Sequence, residues 1–388
     1  MIELALAYGQ NDFMSREQTR HMRLPMCYIG HSDTGQHKNN KVLIMKILKI
    51  KALALMAGTL LSTSVLAEAE YTFKLHHFLP PVSNAQVNFL QPWADKVEAE
   101  SNGRIHIDIY PAMQLGGKPP QLFDQARKGI VDISWTVGGY TPGRFPKATA
   151  FELPFMPLSA RITSMALQDY AETEMQDELK DVKLLALHTH FPGSLHSRTK
   201  DIKKLEDLDG MKVRAPNKVM AEAFSILDAN TVFMPVPTMP SALSKGVIDV
   251  TALPFEVVKP MKIHELAPHH TEFKGDRGLY TQFFIFSMNK KAYDSLPADL
   301  QRVIDDNSGV PLAGFVGDVF DAYEIGARKD AVDNGNTFNT IEGAEYDRWK
   351  TTLQPVTDQW IEDMNDDGYE ANRLLEKAKT LIEKYENF

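Results

Sequence analysis

Apolar residues recur along this chain with two periods, and the switching between them lays out alternating strands and helices. The run 73–76 and the strictly alternating 104–110 (RIHIDIY) predict half-buried strands. Between them Phe89, Trp93 and Val97 recur at helical spacing, Ser83 or Asn84 can cap the helix, and Asn102-Gly103 ends it. Nearly continuous apolar runs at 182–190 (VKLLALHTH) and 280–290 (YTQFFIFSMNK) predict strands covered on both faces. Further strands are expected at 211–217 and 232–237. Helices are expected at 117–128, 159–178, 238–246, about Ala298 to Arg328, 345–363 and 370–387. The predicted class is α/β, with parallel sheets in two lobes and the long helix packed across both.

One phrase occurs twice. ARKGIVDIS (Ala126 to Ser134) and LSKGVIDVT (Leu243 to Thr251) each read as a helix end stopped by glycine, then a β-branched strand with an Asp inside it. Two matching units predict two similar lobes facing one another across a cleft, where small ligands bind.

The ends alter this picture. From Met45 the chain carries a basic region (Lys46, Lys49, Lys51), an apolar stretch (Ala52 to Leu61) and the small-residue site Val65-Leu66-Ala67, which together read as a secretory signal peptide over 45–67. Residues 1–44 then read as an upstream extension from a misassigned start. The mature chain divides into a first lobe of 68–191 and 280–319 and a second of 192–279 and 320–388.

Residues 1–67 hold 8 of the 42 Lys+Arg and 4 of the 51 Asp+Glu, which leaves the mature chain at −13. That charge gives nucleic acid no electrostatic footprint. Cys27, the one cysteine, lies in the leader, so no disulfide, thiol chemistry or lipid anchor is expected, and the compartment implied is the periplasm.

Arg214 ends a short strand just before Ala215-Pro216 and a helix, and ligands of open α/β sheets sit beyond the carboxyl ends of strands. Its guanidinium offers a planar fork that matches a carboxylate. The competing reading is a surface ion pair with Glu206 or Asp207. Tyr140 and Phe255 directly follow the two echo strands and are expected to wall the cleft. Phe155 and Phe283 belong either to that wall or to the core. His76 or His77 could donate to a carboxylate or be satisfied structurally.

Several blocks together resemble the solute-binding proteins of TRAP (tripartite ATP-independent periplasmic) transporters, of DctP type. They are LGGKPPQLFDQARKGIVDIS, FELPFM, LEDLDGMKVRAPN, SALSKGVIDV and MNKKAYDSLPADLQ, and the likeness covers about 70–388. The resemblance implies a periplasmic receptor of two α/β lobes that closes on an organic acid and delivers it to a small and a large sodium-driven membrane subunit. It also implies that the arginine of GMKVRAP, here Arg214, grips the ligand carboxylate.

In the sialic-acid-binding branch a second arginine lies twenty residues earlier, where this chain has Ser194, and a ligand-touching asparagine stands where this chain has Leu253, followed by Phe255 and Glu256. The expected ligand therefore has one gripped carboxylate and an apolar or aromatic body, with Glu256 placed to accept from a hydroxyl or amine. A C4-dicarboxylate or other hydroxy or keto acid is the alternative ligand. A receptor for an ABC importer and a periplasmic enzyme are the alternative classes.

Enzyme-like signals are incomplete. His188 and His190 share a strand face and His264, His269 and His270 cluster, without the converging ligands zinc needs. Asp363, Asn365, Asp367 and Gly368 begin like a calcium loop, but Leu374 occupies the place of its bidentate glutamate, so a helix end is the better reading. No nucleophile elbow, Walker loop or GxGxxG is present. Neither a cofactor nor a metal is expected.

Overall fold

Strand β1 (Tyr71–His77) pairs in parallel with β2 (Ile105–Tyr110) on one side and β3 (Ile133–Val137) on the other. β10 (Phe283–Asn289) then runs antiparallel between β3 and β4 (Val182–Thr189), giving a five-stranded sheet in the order β2-β1-β3-β10-β4. This is seen in a computed structural model that describes residues 69–388, so the expected leader and upstream extension lie outside the described residues. β3 and β10 are buried at every position, as strands covered on both faces must be. Trp135 and His188 lie side by side, each stacked against Phe284 with ring centres 4.8 Å away, and the indole N–H donates to His188 Nε2 at 2.8 Å. His188 is thus a core residue.

The second sheet has the order β11-β9-β5-β8-β6-β7. Its strands are β5 (Ser194–Ser197), β6 (Lys212–Ala215), β7 (Asn230–Phe233), β8 (Val250–Leu253), β9 (His269–Lys274) and β11 (Thr337–Glu342). The chain crosses from the first sheet to the second between β4 and β5 and returns between β9 and β10. The two sheets with their helices form the two-lobed α/β architecture expected.

The echo resolves into a repeated piece of hydrogen bonding. Helix Leu122–Arg127 ends with Gly129 N–H on Ala126 O and Ile130 N–H on Gln125 O. Helix Met239–Ser244 ends with Gly246 N–H on Leu243 O and Val247 N–H on Ala242 O. Both glycines have φ near +70° (71° and 65°), where a Cβ would strain the chain. The strands begin three residues later than predicted, at Ile133 and Val250, after the aspartates. Ile130 and Val247 belong to the helix-stop turns and are 63% and 49% exposed. The aspartates join neighbouring strands: Asp132 Oδ2 accepts from Lys74 N–H at 2.9 Å, and Asp249 Oδ2 from Lys212 N–H at 3.2 Å.

The long helix expected from Ala298 is two helices, Ala298–Asp306 and Gly309–Asp333. Asn307-Ser308-Gly309 breaks it. Gly309 takes φ 74°, and the Asn307 side chain caps Val303 O at 2.9 Å. The second helix serves both lobes. Asp321 accepts from Ala160 and Arg161 N–H (2.7 and 3.0 Å), capping helix Ala160–Glu174 of the first lobe. One turn on, Glu324 accepts from Phe255 and Glu256 N–H (2.8 and 2.9 Å) of the second. At Gly317 a Cβ would lie 2.3 Å from Arg161 Cα, so only glycine permits this helix contact.

Candidate functional site

Arg214 is the penultimate residue of β6, held between β8 and β7. Pro216 cannot continue the ladder, and Asn217 caps the next helix through Met220 N–H at 2.8 Å. The arginine therefore stands at the carboxyl end of a central strand, fully buried. Its Nε donates to Met234 O at 3.0 Å and its Nη1 to Ala252 O at 2.9 Å, both carbonyls of the second lobe. Nη2 is buried without a partner. The ion pair with Glu206 or Asp207 does not form: Glu206 pairs with Arg348, and Asp207 accepts from Lys203 and Lys204 N–H.

Across from the guanidinium stand groups of the first lobe and the crossings. The Tyr140 hydroxyl lies beside it and accepts from Val236 N–H at 3.1 Å, a bond between the lobes. Gln282 donates to Pro216 O at 2.9 Å, a second bond between them. Tyr280 is also fully buried and its hydroxyl has no partner. Burial raises both phenols, while the Arg214 charge opposes the rise. His190 bonds Phe191 O through Nδ1 at 2.5 Å and accepts from Gln282 N–H through Nε2 at 3.2 Å, so the ring is neutral. Burial, with Arg214 adding to it, takes its pKa down to about 4.

Burial works against the Arg214 charge too, and the two tyrosines, with no carboxylate, are what oppose that. An arginine desolvated among neutral hydroxyls is costly until an anion meets it. This arrangement can grip a planar anion.

Beside these groups a cavity of about 20 Å³ is lined by Phe78, Leu79, Val137, Leu253, Val257 and Phe284, together with His190, Gln282 and Glu256. Ordinary small-molecule sites run to roughly 300–1,000 Å³. A ring enters only if the lobes part. Glu256, 1% exposed, has its Oε2 unpartnered beside Asn84, whose Nδ2 is also unpartnered. Burial pushes the Glu256 carboxyl up to about 8. Glu152, on the first lobe beside Asn217, is likewise buried and raised by burial to about 8.

Of the residues singled out from sequence, Arg214, Tyr140, Leu253 and Glu256 gather here; four others do not. His77 has both nitrogens engaged, Nε2 with Gln86 Oε1 at 2.5 Å and Nδ1 accepting from Leu79 N–H at 3.3 Å, so no N–H remains for a carboxylate. Phe255 packs its ring on His196, His270 and Phe338 (5.0, 5.2 and 5.8 Å) and lines a different cavity with Glu272 and Arg328. The turn of residues 255–257, held by Glu324, directs the Phe255 ring into its own lobe while Glu256 lines the cleft. Phe283 packs against Gly138, where a Cβ would fall 1.8 Å from its ring, and lines a neighbouring cavity with Glu152 and Trp360. Phe155 meets Tyr346 edge-on at 5.2 Å.

Tyr280 and Gln282 were missed, His190 was weighed only as a metal ligand and Asn84 only as a helix cap. The first three sit on the crossing segments, which read as strand ends rather than as cleft. Among the described residues no group of three or more His, Cys, Asp or Glu could hold a metal ion, and no helix is long and apolar enough to cross a membrane.

The family model of bacterial extracellular solute-binding proteins, family 7 (DctP), matches residues 76–363, well over half of the chain. A marine-metagenome TRAP solute-binding protein specific for aromatic acid ligands, solved with 3-hydroxybenzoate, is 49% identical with TM-score 0.81, over 82% of this chain and 99% of that one. A TRAP solute-binding protein from Rhodoferax ferrireducens T118, solved with copurified benzoate, is 45% identical with TM-score 0.80, over 81% and 98%. The outer membrane transporter protein TsaT of Comamonas testosteroni is 25% identical over 79% of this chain and 90% of its own. A buried cationic fork at a strand end in a two-lobed α/β fold and these likenesses agree, and the chain belongs to the family 7 extracellular solute-binding proteins, the receptors of TRAP transporters.

Proposed function

We propose that this protein is a periplasmic receptor, not an enzyme, that captures one aromatic monocarboxylate and presents it to the small and large membrane subunits of a TRAP transporter. The observation that carries the reading is the fully buried Arg214 guanidinium, anchored through Nε and Nη1 to backbone carbonyls with Nη2 free and no carboxylate beside it. Anchoring fixes the fork before the ligand arrives, so little ordering entropy is lost on binding. Tyr140 and Tyr280 are placed to donate to the same carboxylate. Phe78, Leu253 and Phe284 supply apolar walls for a ring. The ligands of the two TRAP relatives, 3-hydroxybenzoate and benzoate, have this form.

Binding works by population shift. A ligand held by Arg214 of the second lobe and walled by Phe78 of the first touches both only when they close, so it favours the closed state. The moving bodies are residues 68–191 with 280–319 and residues 192–279 with 320–388, and the leader at 45–67 directs export. A C4-dicarboxylate is disfavoured, because the cavity lining contains no lysine or arginine to meet a second carboxylate. Micromolar to nanomolar affinity amounts to about −8 to −12 kcal/mol.

A thermal-shift panel tests the reading, since a ligand bound only to the native state raises the melting temperature. Benzoate and its hydroxy derivatives should raise it, while succinate and sialic acid should not. A shift with succinate or sialic acid and none with any aromatic acid would overturn the proposal.

A further inference from the structure

Glu256 and Asn84 form a second polar group in the cleft, apart from the guanidinium and unexplained by it. Glu256 follows β8 on the second lobe, and Asn84 precedes the first helical turn of the first lobe. Each is 1% exposed. Asn84 spends its Oδ1 on Asn88 Nδ2 at 2.9 Å, which leaves its Nδ2 unpartnered. The Glu256 Oε2 has no partner at hydrogen-bond distance either, although the Asn84 side chain stands close enough to favour its charged form against burial. Two buried polar groups facing each other without a hydrogen bond of ordinary length are rare in native interiors, because each costs part of its desolvation. Glu256 also lines the cavity whose remaining walls include Phe78, Leu79, Val137, Leu253 and Phe284, so a ring held there would have its edge near this pair.

We infer that Glu256 and Asn84 read a hydroxyl on the ring of the bound acid, making the protein a receptor for hydroxy-substituted rather than unsubstituted aromatic carboxylates. A hydroxyl is donor and acceptor at once, and so can satisfy the Glu256 oxygen and the Asn84 amide together. An ammonium fits less well. The other titratable groups facing Glu256 are Tyr323 and Glu324 of the spanning helix, and burial keeps the Glu256 carboxyl in its neutral form at pH 7. A second carboxylate fits worst, meeting acidic groups and no cation. The inference rests on the aromatic-acid reading above and narrows it.

The test is calorimetric titration of the purified protein with benzoate, the three monohydroxybenzoates and the three methylbenzoates. The methyl compounds match the hydroxyl in size without its hydrogen bonds. In the wild type, one hydroxybenzoate should bind at least about tenfold more tightly than both benzoate and its own methyl isostere. Glu256→Leu should bring that ratio close to one, while Glu256→Gln, which keeps an acceptor and a donor, should retain most of it. Should Glu256→Leu fold poorly, the wild-type comparison of hydroxyl with methyl decides alone.

Equal wild-type affinities for benzoate and every hydroxybenzoate would overturn the inference while leaving the aromatic-acid receptor standing. A hydroxyl preference that survives in Glu256→Leu would overturn it too, since another group would then read the hydroxyl. Equal weakening of every ligand would reduce the pair to a clasp between lobes and also overturn it. Absence of binding by any aromatic acid would remove this inference together with the reading it rests on.

Discussion

Replacing Arg214 by lysine keeps the positive charge but removes the fork, and the structure says how much should be lost. The guanidinium holds its position through two anchors, Nε on Met234 O and Nη1 on Ala252 O, and leaves Nη2 without a partner. A single ammonium cannot keep both anchors and reach the ligand as well. It either stays on the carbonyls or turns to the carboxylate, so at least one bond to a charged group is lost, worth about 1.5–3 kcal/mol. With each 1.4 kcal/mol a factor of ten, benzoate affinity should fall by roughly 10- to 150-fold in Arg214→Lys. Arg214→Met, which removes the charge altogether, should lose more. In the methionine variant the removed desolvation cost of the charge offsets part of what is lost when Met234 O and Ala252 O lose their donor, so folding should weaken by no more than about 1–3 kcal/mol. Isothermal titration with benzoate, alongside urea unfolding of each variant, measures both quantities. Arg214→Lys binding within threefold of wild type would refute the assignment of the fork to the ligand.

Other consequences follow from the spanning helix and the buried carboxyls. Glu324→Ala strips the acceptor from Phe255 and Glu256 N–H and should cost about 2 kcal/mol in urea unfolding. Gly317→Ala would drive a methyl into the Arg161 backbone and should cost about 1–3 kcal/mol by the same measurement, with no change expected if the helices can separate freely. Glu152 has its native pKa raised to about 8 by burial, so its contribution is fully present below about 4.5 and is lost as pH climbs towards 8. Glu152→Gln should therefore melt close to wild type near pH 4 and progressively above it between pH 5 and 8. A constant difference across that range would show that the carboxyl does not hold its proton.

The sheets, the crossings and Arg214 were legible because they rest on local signals: strict alternation at 104–110, unbroken apolar runs at 182–190 and 280–290, and Pro216-Asn217 as a strand stop and helix cap. The fate of Phe255 was not. A residue just after a strand can turn to either lobe, and here the choice is made by Glu324, nearly seventy residues away in sequence. Asp321 and Glu324 themselves look like ordinary exposed acids of an amphipathic helix. Their partners are free backbone N–H groups, which no residue identity reveals. Ile130 and Val247 were read into strands because β-branched pairs favour them, whereas the turn after a helix-stopping glycine claims them first. The paired aspartates of the echo were seen, but their task of joining neighbouring strands depends on a register visible only in three dimensions.

The most direct trial compares benzoate with benzamide by titration into the wild-type protein. The two ligands share one ring and nearly one shape and differ in the charged group that the buried arginine is proposed to meet. Benzamide should bind at least about tenfold more weakly, as the loss of a buried charge-assisted contact requires. Benzamide binding as tightly as benzoate would contradict it.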